Sequence, residues 1–183
     1  MRKVQFCMLT SLDGYFEGLS HNLDWHYAND EEHEDYANEL LNSADLLVFG
    51  RKTYDIMAAF WPTANADEFS IARKMNELPK IVFSNTLSNV GWNNTKLIKG
   101  DAAAELAKLK QTPGKNIVIL GSNQLATSLL NTNIIDEYQI FLCPISIGAG
   151  TKLFHGTHET HRFILMKTKV RRSGLIELYY RNK

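Results

Sequence analysis

Cysteine is scarce in this sequence, and its two cysteines, Cys7 and Cys143, stand in separate apolar runs. Neither has a CxxC spacing or a neighbouring histidine, so the pattern disfavours a disulfide and a metal site and predicts two buried free thiols. Long apolar runs are also missing: no stretch reaches transmembrane length, and the apolar segment near the first residue is shorter than that of a signal peptide. We therefore expect a cytoplasmic protein with no metal and no membrane partner.

An excess of charge of either sign is absent. Twenty Lys and Arg residues balance twenty Asp and Glu residues. No global field therefore attracts a polyanion, and we expect no nucleic-acid partner. A site for a small anion would have to be a local arrangement of a few cations and backbone amides.

Several enzyme motifs are absent too. The sequence has no GxGxxG fingerprint, and "GAGTK" at 148–152 lacks the GK[ST] order of a P-loop. It also lacks the HxE…PCxxC pattern of zinc deaminases and the GxSxG pattern of serine hydrolases. A deaminase or a hydrolase is therefore unsupported.

The sequence does contain a regular alternation of strand-like and helix-like segments over 183 residues, 44% of them hydrophobic, which fits one domain. The predicted strands span 3–10, 46–50, 81–84, 96–99, 117–121, 137–143, 162–170 and 175–181. The predicted helices span 30–44, 53–59, 67–76, 101–110 and 123–131. One face of the first helix is apolar, with Tyr36, Ala37, Leu40, Leu41 and Ala44 at three- and four-residue spacing.

Short, near-continuous apolar strands such as "NIVILG" alternate with these helices. This pattern predicts an α/β fold with a mostly parallel central sheet of about eight strands and helices on both faces. The last two strands are separated by only four residues, 171–174, and predict a C-terminal antiparallel hairpin at the edge of the sheet. We expect the basic "KVRR" at its turn to be a solvent-exposed tip.

Sheets of this kind bind ligands outside the carboxyl ends of their strands. In "VFGRKTYD", Gly50 permits a tight turn, and Arg51, Lys52 and the Thr53 hydroxyl fall at a helix start suited to phosphate oxygens. Arginine at such a place can select the 2′-phosphate of NADP. An ordinary turn with two solvated cations explains the same residues equally well. "ILGSNQLA" is a second candidate, although a capped turn that binds no ligand would also explain it.

Taken in order, "TSLDGYFEG", "DW", "VFGRKTYD", "IVFSN", "ILGSNQLATSLLN" and "IIDEYQIFLCPISIGAGTKLF" resemble the dihydrofolate reductase-like superfamily. The resemblance is closer to the branch that contains the reductase domain of the bifunctional riboflavin-biosynthesis deaminase-reductase and its stand-alone relatives. It covers about residues 3–180. It implies an NADPH-dependent reductase that transfers a hydride to a small heterocyclic substrate, and a homodimer. A non-catalytic NADP- or pterin-binding module is the alternative.

The resemblance also implies site residues. Thr10 and the loop 11–18 would lie over the nicotinamide, and Ser84 would lie near the adenosine. The cofactor phosphates would be held by Gly50, Arg51, Lys52 and Thr53. The turn against the pyrophosphate and nicotinamide would comprise Gly121, Ser122, Asn123, Gln124 and Leu125. Ser122 replaces the second glycine of dihydrofolate reductases, which leaves open whether the cis peptide usual there is present.

A reductase also needs a proton donor. Dihydrofolate reductases keep an acid early in the first helix, which here matches Asp30 best and Glu34 second, although Asp30 is also a good helix cap. Asp13 in "SLDG" resembles a site residue of the riboflavin-type branch, so we rank it above Asp30 as a catalytic residue. An Asp-Gly turn is the simpler explanation of Asp13.

Aromatic residues could stack on a flat substrate. The candidates are Trp25, Phe49 and Trp61, although aromatic residues in such runs usually belong to the core. A riboflavin-pathway substrate would also need a site for its ribose phosphate, for which His21, His26 and Arg162 are weak candidates.

Overall fold

The computed structural model describes residues 1–26, 31–157 and 159–183, with residues 31–33 described by their backbone alone. Its centre is a sheet of eight strands: β1 (Val4–Thr10), β3 (Ala44–Gly50), β4 (Lys80–Phe83), β5 (Thr95–Ile98), β6 (Asn116–Leu120), β7 (Glu137–Leu142), β9 (Phe163–Val170) and β10 (Ile176–Asn182). Their order across the sheet is β5-β4-β3-β6-β1-β7-β10-β9. Strands β1, β3, β4, β5, β6 and β7 run parallel, and β10 is antiparallel to β7 and β9. The mostly parallel α/β sheet predicted from the sequence is confirmed.

Five helices cover the two faces of this sheet in the described residues: α1 (Glu31–Ser43), α2 (Arg51–Phe60), α3 (Ala72–Glu77), α4 (Ala102–Lys110) and α5 (Asn123–Leu129). Helices α1, α2 and α3 bury side chains in the core on one face, and α4 and α5 do so on the other. None of the helices in the described ranges is both long enough and apolar enough to cross a bilayer.

The apolar face predicted for the first helix is buried as expected. Tyr36, Ala37, Leu40 and Leu41 pack in one core cluster with Leu47 and Phe141 of the sheet, and Ala44 is buried as the first residue of β3. Cys7 and Cys143 are buried free thiols, as the composition predicts. Burial raises the pKa of Cys143 to about 11, so this thiol stays protonated at neutral pH.

Helix α3 is shorter than predicted. It begins at Ala72 because residues 65–71 form turns, in which the Phe69 amide donates to the Asn65 carbonyl at 2.9 Å. Its C-terminal end is closed by Lys80, a side chain with 1% exposure. The Lys80 ammonium donates to the carbonyls of Met75 at 2.8 Å, Asn76 at 3.0 Å and Leu78 at 2.6 Å. A cation at a helix C-terminus satisfies carbonyls that have no partner within the helix.

The C-terminal hairpin of β9 and β10 lies at the sheet edge, as predicted. The prediction of a solvent-exposed tip is wrong for Arg171, which is 9% exposed. Its guanidinium pairs with Glu177, a fully buried carboxylate that also accepts a hydrogen bond from the Tyr179 hydroxyl. Arg171 is buried because a buried carboxylate needs a cationic partner, which no local pattern revealed.

Two very short strands were not predicted. β2 (Tyr15–Glu17) and β8 (Thr151–Lys152) form a separate two-stranded antiparallel sheet in which Glu17 lies opposite Thr151. The residue before β8 must be glycine, because a Cβ at Gly150 would lie 1.9 Å from the Glu17 carbonyl oxygen. This small sheet holds residues 15–17 against residues 151–152.

Candidate functional site

A cleft of about 470 Å³ opens at the carboxyl ends of three adjacent strands, β3, β6 and β1. Its polar end is formed by the turn from β3 into α2 and the turn from β6 into α5. Its apolar wall comes from β1, α1, α2 and the segment after α2, and includes Leu9, Tyr36, Leu40, Met57, Trp61 and Met75. This is the position at which open α/β sheets bind ligands.

The two turns at the polar end are joined by hydrogen bonds, which we call the Thr53–Ser122 latch. The Ser122 amide donates to the Thr53 hydroxyl at 2.9 Å. In return, the Gly50 amide donates to the Ser122 hydroxyl at 2.8 Å, and that hydroxyl donates to the Leu120 carbonyl at 3.1 Å. The latch therefore fixes the start of α2 against the turn after β6.

The backbone of this second turn is unusual. Gly121 and Ser122 have φ values of 56° and 59°, in the left-handed region that a serine seldom adopts. A Cβ on Gly121 would lie 3.2 Å from the Thr53 methyl group, so glycine is the residue that lets the two turns approach. The described residues contain no cis peptide bond.

The first turn of α2 carries the two predicted cations. Arg51 and Lys52 are exposed at the cleft, next to backbone amides that have no acceptor within the helix. The Arg51 guanidinium lies 3.4 Å from the Asp55 carboxylate, and both side chains are 47% exposed. Such an exposed pair is weak, so an anion at the helix start could compete with Asp55 for Arg51. The geometry therefore brings a guanidinium, an ammonium and free amides together at one end of the cleft.

The three predicted cofactor residues at the start of α5 differ in how far they are exposed to the cleft. Asn123 is buried, and its side-chain oxygen accepts the Phe154 amide at 2.9 Å, so it anchors the segment after β8. Gln124 is exposed at the cleft, and Leu125 is buried beneath it. Of these three predicted cofactor residues, Gln124 presents an exposed polar side chain to the cleft.

The comparisons with known proteins agree with this geometry. A family model described as the RibD C-terminal domain matches residues 2–176. The chain belongs to the RibD C-terminal domain family. It is similar to the uncharacterized protein YyaP of Bacillus subtilis (strain 168), with 27% identity over 182 residues that cover 98% of this chain and 94% of YyaP. RibD-type reductase domains and their stand-alone relatives are thus the proteins that this chain resembles.

Two solved structures show the same architecture. A protein from Shewanella sp. PV-4, which was assigned to riboflavin biosynthesis by its name alone, superposes with a TM-score of 0.78 and 27% identity. The match covers 100% of this chain and 99% of that one. Dihydrofolate reductase from Enterococcus faecalis superposes with a TM-score of 0.66 at 13% identity, covering 99% of this chain and 96% of that enzyme. The second likeness shows the fold alone, and the dihydrofolate reductase-like fold predicted from the sequence is confirmed.

Within this RibD-type domain, Asp13 does not line the cleft in the part of the chain that the structure describes. Its carboxylate accepts the Ser146 hydroxyl at 2.9 Å and the amides of Ile147 at 3.2 Å and Gly148 at 2.8 Å. Hydrogen bonding by Ser11, followed by Gly148 and the other donors, holds the pKa of Asp13 well below its usual range. In this conformation Asp13 is an ionised brace between two loops, which makes it a poor proton donor at neutral pH.

Four other predicted site residues lie away from the cleft wall. Phe49 has no exposed surface, and its ring packs 5.9 Å from that of Trp92, so it belongs to the core and not to the cleft wall. Trp25 packs edge-on against His26, and Thr10 is buried at the end of β1. Ser84 closes a turn after β4 by accepting the amides of Thr86 and Leu87. None of these four is among the described residues that line the cleft, whereas Trp61 is.

Asp30, the second predicted acid, lies outside the described residues. Glu34, which we ranked after it, is described as an exposed residue of α1.

Among the polar residues of the cleft that were not singled out from the sequence, Glu17 is the most buried. Glu17 is 8% exposed, and its carboxylate oxygens lie 2.9 Å from His21 Nδ1 and 2.6 Å from the Thr151 hydroxyl that donates to it. Glu17, His21 and Thr151 all line the cleft. The acidic residue four positions before a histidine was the available signal, but the contact with Thr151, 134 residues away, was not readable from the sequence.

Proposed function

We propose that this RibD-type domain is an NADPH-dependent reductase that transfers a hydride to a small heterocyclic substrate. The observation that supports this most is the Thr53–Ser122 latch, which fixes a cationic helix start against the turn after β6 at the polar end of a cleft that also has an apolar wall. A phosphorylated dinucleotide needs both parts, because its phosphates need cations and amides and its reactive ring needs a dry wall.

The residues present fit NADPH. Gly121 has no side chain and packs against Thr53, so the turn after β6 lies close to the cationic start of α2 at the polar end of the cleft. Arg51, Lys52 and the first amides of α2 would hold phosphate groups, with Arg51 suited to the 2′-phosphate. The apolar wall, with Trp61 and Met57 among its residues, would receive the flat rings.

When bound, NADPH supplies a hydride. The chain's own part is to orient the substrate beside the nicotinamide, to exclude water with the apolar wall, and to deliver a proton to the substrate atom that gains negative charge. The substrates that fit are flat heterocycles with an electron-poor C=N bond, such as a pterin, or with a masked carbonyl in an attached sugar, such as 5-amino-6-(5-phosphoribosylamino)uracil of riboflavin biosynthesis. A cytoplasmic location and a homodimer remain predictions.

The test is NADPH oxidation by the purified chain against a panel of dihydrofolate, other pterins and the riboflavin-pathway aminopyrimidine. Binding of NADPH and NADH is measured in parallel for the wild type, for Arg51→Ala and for Arg172→Ala, an exposed arginine at the hairpin turn that serves as the matched control. We expect Arg51→Ala to weaken NADPH binding about ten-fold or more, as for a lost hydrogen bond between charged groups, and to leave NADH binding unchanged.

Three outcomes decide between the alternatives. Oxidation with at least one acceptor and loss of the NADPH preference in Arg51→Ala alone supports the proposal. NADPH binding without oxidation by any acceptor would favour a non-catalytic binding module. An unchanged preference in Arg51→Ala would overturn the cofactor assignment of Arg51.

A further inference from the structure

The carboxylate of Glu17 and the imidazole of His21 form a fixed pair in the cleft. One carboxylate oxygen lies 2.9 Å from His21 Nδ1, and the other accepts the Thr151 hydroxyl at 2.6 Å. The Glu17 side chain is 11% exposed, whereas the His21 side chain is 55% exposed. A nearly buried carboxylate thus orients an imidazole that is exposed at the cleft.

The backbone at His21 and the residue before it has an unusual conformation. Ser20 and His21 have φ values of 55° and 62°, both in the left-handed region. Residues other than glycine rarely adopt this conformation, because the Cβ then lies too close to the backbone. The loop is closed by the Gly18 amide, which donates to the Asn22 carbonyl at 2.8 Å. Strained residues of this kind persist where the surrounding structure holds them, and they cluster at functional sites.

The hydrogen bond to Glu17 determines which ring nitrogen is available. A carboxylate at Nδ1 favours the tautomer with its proton on Nδ1, and it stabilises the ring when both nitrogens carry protons. Nε2 is then the nitrogen left for a ligand in the cleft, as an acceptor in the neutral ring and as an N–H donor when the ring is doubly protonated.

We propose that His21, oriented by Glu17, is the proton donor of the reaction; this rests on the proposed reductase function. As the hydride forms a C–H bond at the substrate's C=N or C=O carbon, the π electrons move to the nitrogen or oxygen. That atom forms a bond to the Nε2 proton of the doubly protonated His21 ring as the Nε2–H bond breaks, and the electrons of that bond stay on the ring, which becomes neutral with its remaining proton on Nδ1. The neutral imidazole then regains a proton from solvent, for which its exposed side chain gives a path.

Other titratable groups face the same cleft and must be separated from His21 in any pH measurement. They are Cys7, His26, Tyr36, Arg51, Lys52 and His155. His26 Nε2 lies 2.9 Å from the Phe16 carbonyl, so that nitrogen is engaged with the backbone. Lys152, next to Thr151, lies with its ammonium 5.6 Å from the centre of the Tyr15 ring.

The experiment compares His21→Gln, Glu17→Gln, His155→Gln and His26→Gln in the acceptor reaction that the wild type supports, with His161→Gln as the control outside the cleft. A general acid contributes roughly 10²- to 10⁴-fold to rate, so we expect kcat to fall at least 100-fold in His21→Gln while NADPH affinity is retained. The fall in kcat/KM of the wild type as pH rises through the imidazole range should vanish in His21→Gln and persist in the His155, His26 and His161 variants.

A second readout does not depend on turnover. Nitrogen NMR of the neutral His21 ring should show its proton mainly on Nδ1 in the wild type and a larger Nε2–H population in Glu17→Gln. An unaltered pH profile in an active His21→Gln variant would overturn the proton-donor role of His21. A tautomer unaffected by Glu17→Gln would overturn the orienting role of Glu17. Absence of NADPH oxidation by the wild type with every acceptor would instead overturn the reductase function and the proton-donor role with it, whatever the NMR result.

Discussion

The Ser122 amide donates to the Thr53 hydroxyl at 2.9 Å, across 69 residues of sequence. This hydrogen bond joins the two turns that form the polar end of the cleft. Its geometry depends on the left-handed conformation of Ser122 and on the absence of a side chain at Gly121. The position of the cationic helix start is therefore set by a residue on a different element.

Thr53→Val removes the hydroxyl and keeps the shape of the side chain. The Ser122 amide then loses its acceptor, and we expect the free energy of unfolding to fall by about 1 to 3 kcal/mol, with weaker NADPH binding. Urea unfolding and NADPH titration measure both effects. Thr63→Val is the control, because the exposed Thr63 hydroxyl donates to the nearby Phe60 carbonyl at 3.3 Å and accepts from no amide in the described residues. Equal losses in the two variants would contradict a latch.

Ser122→Ala and Ser122→Gly separate the hydroxyl of Ser122 from its backbone conformation. Both variants lose the acceptor for the Gly50 amide, but glycine adopts a positive φ without strain. We expect Ser122→Gly to be the more stable of the two by about 1 kcal/mol in urea unfolding. Ser128→Ala, which removes an exposed hydroxyl on α5, is the control, and the opposite order of the two Ser122 variants would show that φ is not limiting there.

Asp13→Asn should change the dependence of stability on acid. The pKa of Asp13 is lowered in the folded chain from 3.8, so its contribution to stability is present above about pH 4 and is lost as pH falls below that. We expect wild-type stability to decline more steeply than that of Asp13→Asn when urea unfolding is measured from about pH 5 downward. Asp67→Asn, at an exposed site, is the control. Parallel pH curves for wild type and Asp13→Asn would exclude the bracing role.

Lys80→Met should destabilise the fold near neutral pH. The three carbonyls that the Lys80 ammonium satisfies at the end of α3 would lose their donor, which costs roughly 1 to 3 kcal/mol. Lys108→Met, at a side chain with 76% exposure, serves as the control in the same chemical unfolding series. A Lys80→Met variant as stable as Lys108→Met would show that water replaces the ammonium without cost.

Lys80 should also make the free energy of unfolding depend on pH in the alkaline range. Burial lowers the pKa of Lys80 from 10.5 to about 8, so between these values the unfolded chain binds a proton that the folded chain does not. Wild-type stability should therefore rise relative to that of Lys80→Met as pH increases through this window. A constant difference between the two proteins would contradict this pKa.

Much of the fold could be predicted from the sequence because most of the parallel strands are short apolar runs, and helices lie in four of the five connections between them. The apolar face around Tyr36 and Leu40 follows from helical spacing and is buried as expected. The strands of the small sheet escaped prediction because β2 has three residues and β8 has two, too few to show a period. Their pairing depends on contacts between distant residues.

The candidate site was predictable in part for a similar reason. Arg51, Lys52 and Gly121 follow strands, and the strand ends converge at one edge of a parallel sheet. The burial of Phe49, the bracing contacts of Asp13 and the partner of Arg171 depend on side chains that become neighbours only after folding. The Glu17–His21 pair depends on positive φ values at two residues that are not glycine, which composition does not reveal.

Because Glu17 pairs with Thr151, substitutions in these two distant stretches of the chain should have coupled effects on the cleft. A substitution in 15–21 alters the environment of 151–152, so its effect on substrate choice will depend on the residue at 151. Variants selected for new acceptors should therefore carry changes in both stretches, and libraries that randomise only one of them should lose their best combinations.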